Sequence, residues 1–263
     1  AQQRLWFVEQ FTQVSQVYDV PSISCLKGSV NIAALQCAIN EIVRRHEILR
    51  TSFTLVEGQP VQIIHPTLSL SLPVVDLQGL AQVERDIEIQ RLINNVEASQ
   101  LFDLTEVPLL SCFLIKSNEG EHILFFLIHH IITDGWSSGI INNELTALYE
   151  AFSQNQPSPL PELPIQYVDF AVWQRQYLQG KVLDNLLTYW KQKLSGNLPV
   201  LQLPTDYPRP AIQTFSGKRK TFFLSENLTQ ALKALSRNED ATLFMTLLAA
   251  FKTLLDRKST RLN

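Results

Sequence analysis

The chain has 263 residues, enough for one large domain or two lobes with separate cores. Apolar residues make up 45% and charged residues 18%, a globular balance that excludes a disordered chain. The net charge is −3 and the nearest thing to a basic cluster is Lys218-Arg219-Lys220, so a nucleic-acid partner is set aside.

The chain opens on Ala1-Gln2-Gln3-Arg4, with neither a starting Met nor the long apolar run of a signal peptide. An excised, cytoplasmic piece of a larger protein is the expectation. Asn31 is placed to cap a helix whose apolar residues are Ile32, Leu35, Ala38, Ile39, Ile42 and Val43, with Arg44, Arg45 and His46 near its C-terminal end. His46 and Glu47 belong to that helix end. Leu49–Leu55 and Val61–Ile64 flank Glu57-Gly58 and predict a hairpin. Leu80, Val83, Ile87, Leu92, Ile93 and Val96 mark a second amphipathic helix. A longer hairpin is expected from Leu109–Ser117 and His122–His130, joined by Asn118-Glu119-Gly120. Its second strand, with the run Ile123–Ile128, is apolar on both faces, which belongs in the middle of a sheet. That run is far too short for a bilayer span. His65 and His122 read as ordinary hairpin residues.

A helix follows the Asp134-Gly135 turn, with Ile140, Ile141, Leu145, Leu148 and Tyr149 as its inward face. Four prolines among residues 156–164 predict a connector. Helical patterns return at Tyr167–Leu178 and Asp184–Leu194, and a second Pro-rich crossing runs from Pro199 to Pro210. Ser225 and Thr242 are placed to cap the last two helices. Cys25, Cys37 and Cys112 are odd in number and far apart, as expected of buried thiols in a reducing compartment.

Chemistry concentrates in His129-His130-Ile131-Ile132-Thr133-Asp134-Gly135, where a buried strand turns into a helix. Three readings compete. A metal site needs both imidazoles on one ion, but adjacent strand residues point to opposite faces, and no further Cys or His is near. Two core histidines satisfied by backbone groups are the bland reading. A catalytic imidazole is the third, since a ring with an ordinary pKa of ~6.5 is available in neutral form at physiological pH.

The stretch resembles the HHxxxDG signature of condensation domains of nonribosomal peptide synthetases, shared with epimerisation domains and related acyltransferases. Three further segments resemble condensation-domain motifs in the right order: residues 1–7 (AQQRLWF), 45–53 (RHEILRTSF) and 167–175 (YVDFAVWQR). The likeness continues through Tyr189-Trp190, residues 203–206 (LPTD) and 241–244 (ATLF) to about Arg257. Trp136-Ser137 after the Asp-Gly is similar to condensation rather than epimerisation domains, and the wording is most similar to the subtype taking an L-configured donor and an L-configured acceptor.

The resemblance implies an α/β (α+β) chloramphenicol-acetyltransferase-like fold with two lobes in a V and a tunnel between them. Residues 1–160 are then a complete N-terminal lobe, and 161–263 the connector helices and incomplete start of a C-terminal lobe. It implies His130 as the catalytic imidazole and His129 as structural. Asp134 is expected to pair with a buried arginine, Arg45 or Arg50. Gly135 is expected to give a tight turn or a close approach of substrate. Trp136 and Ser137 are candidates for tunnel lining, with core packing the default for Trp136. Tyr167, Asp169, Trp173 and Arg175 read as structural, holding the lobes together. No metal and no directly bound cofactor are expected. Substrates would arrive on phosphopantetheine arms of upstream and downstream peptidyl carrier domains, beside an adenylation domain, and be joined through an amide bond. Alternatives are an epimerisation domain, a coenzyme-A acyltransferase, or a truncated, non-catalytic carrier-docking lobe. The tail from Lys258 to Asn263 departs from the family pattern, and the isolated chain is expected to be inactive.

Overall fold

The computed structural model describes residues 2–11, 15–198, 203, 205–208, 210, 211, 217 and 220–259. The expectations for Lys218, Arg219, half of the second Pro-rich crossing and residues 260–263 lie outside them. The chain divides into two units, 1–182 and 183–263.

The first unit is built on a sheet of order β1-β6-β5-β4. Its strands are β1 (Asp19–Lys27), β4 (Val74–Asp76), β5 (Leu110–Asn118) and β6 (Glu121–His129). β1 and β5 run antiparallel to β6, while β4 is parallel to β5. β6 therefore has a partner on each side and is covered on both faces: Leu124, Phe125 and Leu127 have no exposed surface. That placement is why its sequence does not alternate. Phe113 stacks on Phe125 at 4.8 Å between ring centres.

α1 (Gln2–Phe11) precedes β1, and α2 (Ile32–Arg45) follows it. Asn31 Oδ1 accepts from the Ala34 amide at 3.1 Å, capping α2 as its side chain predicts. Leu35, Ala38, Ile39, Ile42 and Val43 form the buried stripe of α2. β2 (Thr51–Val56) and β3 (Gln59–Ile64) make the first hairpin, closed by Glu57 at φ 51° and Gly58 at φ 75°. Two left-handed residues in a two-residue turn match the twist of the strands, and Gly58 takes its share without a Cβ penalty.

α3 (Gln82–Ser99) is amphipathic and turns Leu92, Ile93 and Val96 to the core as expected, but its first turns depart from the expected face. Val83 and Ile87 are 71% and 63% exposed, and the buried residues are Arg85, Ile89 and Ile93. Arg85 lays its stem along that stripe while its guanidinium reaches the Leu80 carbonyl at 2.7 Å and the Asn118 side chain. α4 (Gly135–Ser153) packs on α2. Leu145 and Leu148 are buried, Ile141 and Tyr149 pack against the core, and Ile140 is exposed. α5 (Tyr167–Tyr177) follows the connector, and α6 (Gly180–Lys193) runs across the division between units.

In the second unit, α7 (Glu226–Asn238) and α8 (Leu243–Ser259) contact each other, and the Ser236 and Thr246 hydroxyls lie 2.7 Å apart. Ser225 and Thr242 accept from the Leu228 and Met245 amides, as expected of caps. Of the cysteines only Cys112 is buried, with its thiol pushed up to about 11 by desolvation; Cys25 and Cys37 are exposed, contrary to expectation.

Candidate active site

β6 ends on His129, and strand alternation separates the two imidazoles. His129 points inward and is fully buried, while His130 is exposed. The His130 amide donates to the Tyr18 carbonyl at 2.7 Å, which extends the β1–β6 pairing by one bond. Its Nδ1 lies 2.8 Å from the Thr133 carbonyl oxygen. A carbonyl only accepts, so Nδ1 carries the proton and Nε2 presents its lone pair. The backbone of the turn thus sets the tautomer without a carboxylate.

The turn is anchored by Ile131 and Ile132, both buried, and by the Ile132 amide donating to the His129 carbonyl at 3.0 Å. From outside, Gln2 Nε2 of α1 donates to the Ile131 carbonyl at 2.8 Å. Gln62 of β3 holds the Gln2 amide oxygen at 2.9 Å. These two glutamines were not singled out by the sequence, because their roles depend on segments brought together only by the fold.

Asp134 does not pair with Arg45 or Arg50. It caps α4: its Oδ1 accepts from the Ser137 amide at 2.8 Å and from the Ser137 hydroxyl at 2.7 Å. Those bonds hold the Asp134 carboxyl below the ordinary carboxylate range. A carboxylate one residue before a helix meets free amides within its own turn, and this local solution outcompetes a distant guanidinium. Ser137 is accordingly engaged in the capping box.

The two arginines are engaged elsewhere. Arg45, buried, bonds Glu144 of α4 at 3.2 and 3.4 Å and the Pro161 carbonyl at 2.9 Å. His46 Nε2 meets the same carboxylate at 2.9 Å. Burial pushes the Glu144 carboxyl up, but the hydrogen bonds from Arg45 and His46 outweigh it and leave it below its ordinary range. Arg50 binds the His65 carbonyl and Glu47. Both arginines therefore support the framework rather than the HHxxxDG turn.

Gly135 opens α4. Its φ lies outside the left-handed region, and a Cβ there would meet no atom within 4 Å. Neither the backbone nor the packing of this chain demands glycine at that point, which corrects the tight-turn reading. Trp136 beside it is 82% exposed and is not a core residue. Tyr167 begins α5, and its phenol is pushed up by burial and then by the negative charge of Asp134. A cavity of about 470 Å³ is lined by Gln2, Trp6, Phe53, Gln62, Tyr167 and Arg175, among others.

The condensation-domain family model matches residues 1–261. A linear gramicidin synthase from Brevibacillus parabrevis is 48% identical over 256 residues, 97% of this chain and 5% of that protein. Chondramide synthase cmdD of Chondromyces crocatus is 48% identical over 98% of this chain and 7% of its own length. Among solved structures, the X-domain from teicoplanin biosynthesis is similar at a TM-score of 0.81 and 27% identity, over 98% of this chain and 56% of that one. SgcC5 of Streptomyces globisporus is similar at 0.74 and 29%, over 98% of this chain and 59% of that one. The mixed α/β fold and the resemblance carried by four ordered motifs agree with these matches: the chain belongs to the condensation-domain family.

Proposed function

We propose that the exposed end of β6 serves amide-bond formation between a donor aminoacyl or peptidyl thioester and the amine of an acceptor aminoacyl thioester. The observation that carries this reading is the exposed His130 imidazole, held by Nδ1–H on the Thr133 carbonyl, with no partner for Nε2 among the described residues. The acceptor nitrogen attacks the thioester carbonyl, a C–N bond forms, and the C–S bond breaks. Nε2 accepts a proton from the attacking amine, and the leaving thiolate regains one. General base catalysis of this kind contributes about 10²–10⁴ in rate. The same nitrogen also orients the amine, and orientation is itself a large term.

Gly135 and Trp136 flank the imidazole at the start of α4. The missing Cβ leaves room for substrate to approach the turn, and the exposed indole offers it a wall. His129 and Asp134 support the turn, while Arg45 and Arg50 support the framework behind it. Both substrates would arrive on phosphopantetheine arms of upstream and downstream peptidyl carrier domains, with an adenylation domain in the same cytoplasmic synthetase, and with L-configured donor and acceptor. No cofactor is assigned to the site. Residues 1–160 would be the N-terminal lobe and 161–263 the connector and start of a second lobe. The isolated chain would be inactive, because half a tunnel orients two arms poorly.

The test places the full-length domain between two loaded carrier domains and follows dipeptidyl-carrier formation by intact-protein mass spectrometry. Wild type should form the dipeptide, and His130→Ala should be slowed at least ~100-fold. Inversion at the α-carbon without coupling would make this an epimerisation domain. A His130→Ala variant that keeps pace would leave His130 without a chemical role.

A further inference from the structure

Behind the exposed imidazole lies a second set of ionisable side chains to which the proposed reaction assigns nothing. Glu9 comes from α1, Asp19 is the first residue of β1, and His129 is the last of β6. Asp19 and His129 are register partners across the two strands. His129 Nε2 lies 3.0 Å from Glu9 Oε2, with His129 fully buried and the Glu9 side chain 9% exposed. That approach is off the line of a hydrogen bond, and both Asp19 carboxyl oxygens are buried without a hydrogen-bond partner among the described residues. The rings of Tyr18 and Phe102 stand 6.4 and 6.3 Å from the imidazole, so Tyr18 brings the remaining titratable group on that side. From β5 the Leu109 carbonyl accepts the His129 amide.

Two carboxylates around one buried imidazole make a costly arrangement. Even with the imidazole charged, the set carries a net negative charge, and a further proton relieves it. Burial pushes the Asp19 carboxyl up to about 6, with the charge on His129 opposing and that on Glu9 adding.

The set grips both chain segments from which His130 hangs. Asp19 follows Tyr18, whose carbonyl takes the His130 amide at 2.7 Å. His129 precedes His130, and its Nδ1 accepts from the Ile131 amide at 3.1 Å. We propose that Glu9, Asp19 and His129 form a proton-sharing trio of positioning residues that holds the His130 imidazole in place when Asp19 is ionised and releases it when Asp19 is protonated. This rests on the reading of His130 as the amide-forming group. In the ionised state the carboxylates attract the Nε2–H edge of the His129 ring, whose Nδ1 takes the Ile131 amide, and fix the strand end. The clamp costs stability in return for placement.

The experiment uses the full-length domain with both carriers and measures single-turnover coupling from pH 5.5 to 8. Wild type should lose rate on the acid side more steeply than a single ionisation allows. Asp19→Asn, nearly isosteric, should keep only one and be about tenfold slower at pH 8, through kcat rather than KM. A variant profile that superimposes on wild type after scaling by one constant overturns the proposal. Thermal unfolding of the same proteins reads the trio without catalysis. A carboxyl raised in the folded state binds its proton more tightly there, so folding stability falls as pH rises from about 4 to about 6. Asp19→Asn should therefore melt higher than wild type at pH 7.5, with the gap closing toward pH 4; a gap independent of pH overturns the shared proton. If wild type forms no dipeptide at any pH, the amide-forming reading falls, and the unfolding comparison still decides the trio.

Discussion

Gly135 separates what the fold requires from what the substrate requires. A Cβ there meets nothing in the protein, and the backbone is one any residue adopts. Gly135→Ala should keep or raise stability by about 0.4–1 kcal/mol, since alanine restricts the unfolded chain more. The same change should slow coupling if substrate passes against the turn. Chemical denaturation beside dipeptide formation checks the two halves, and unchanged coupling would remove Gly135 from the site. At this scale the division between His129 and His130 was legible, because a period of two dictates it. The partner of Asp134 was not. A motif names residue types but not competing donors, and the Ser137 amide and hydroxyl three residues on were the nearer ones. Glu9 and Asp19 gave no signal at all, because only the placement of α1 and the pairing of β1 with β6 bring them to His129.

Among the elements, α2 bears the heaviest electrostatic duty. Arg45, 2% exposed at its side chain, bridges Glu144 of α4 and the connector carbonyl of Pro161, while Gln166 Nε2 returns a hydrogen bond to the Arg45 carbonyl at 2.8 Å. Arg44, one residue earlier and half exposed, pairs with Glu41 and Glu162. Removing one partner of a buried pair leaves an unpaired charge, so Arg45→Ala should cost about 3–5 kcal/mol. Arg44→Ala should cost about 0–1 kcal/mol. Urea titration of both variants checks the contrast, and equal losses would refute it. Elements with a strong period were readable: α2, both hairpins and α4 fall where their patterns put them. β1 was not, because it alternates polar and apolar residues around Pro21 as a one-sided strand at the sheet's margin. β4 has only three residues and exists through its parallel pairing with β5. In α3 only Val83 and Ile87 were misread, because the stem of Arg85 occupies a position that hydrophobicity alone leaves blank, while Ile93 is buried and Leu80, Leu92 and Val96 pack on the core.

At the scale of the molecule, the two units differ in how they treat apolar side chains. The first encloses an extended core, whereas the second leaves Phe222, Phe223, Phe244 and Phe251 between 55% and 93% exposed. Exposed aromatics in such number leave an apolar surface that a hydrophobic probe can reach. The chain spans 56% of the teicoplanin X-domain and 59% of SgcC5. The 263-residue chain should therefore bind a hydrophobic dye such as ANS strongly, and weak dye binding would contradict this. Because His129 and His130 occupy opposite sides of β6, length variation in that strand is filtered by parity. An insertion at the Glu119-Gly120 tip leaves both imidazoles where they are, and so does a change of two residues within the strand. A single residue gained or lost between Glu121 and His129 would turn the buried imidazole outward and drive the exposed one into the core. Lineages of such a chain can drift in the loops by any number, but along β6 only in even steps.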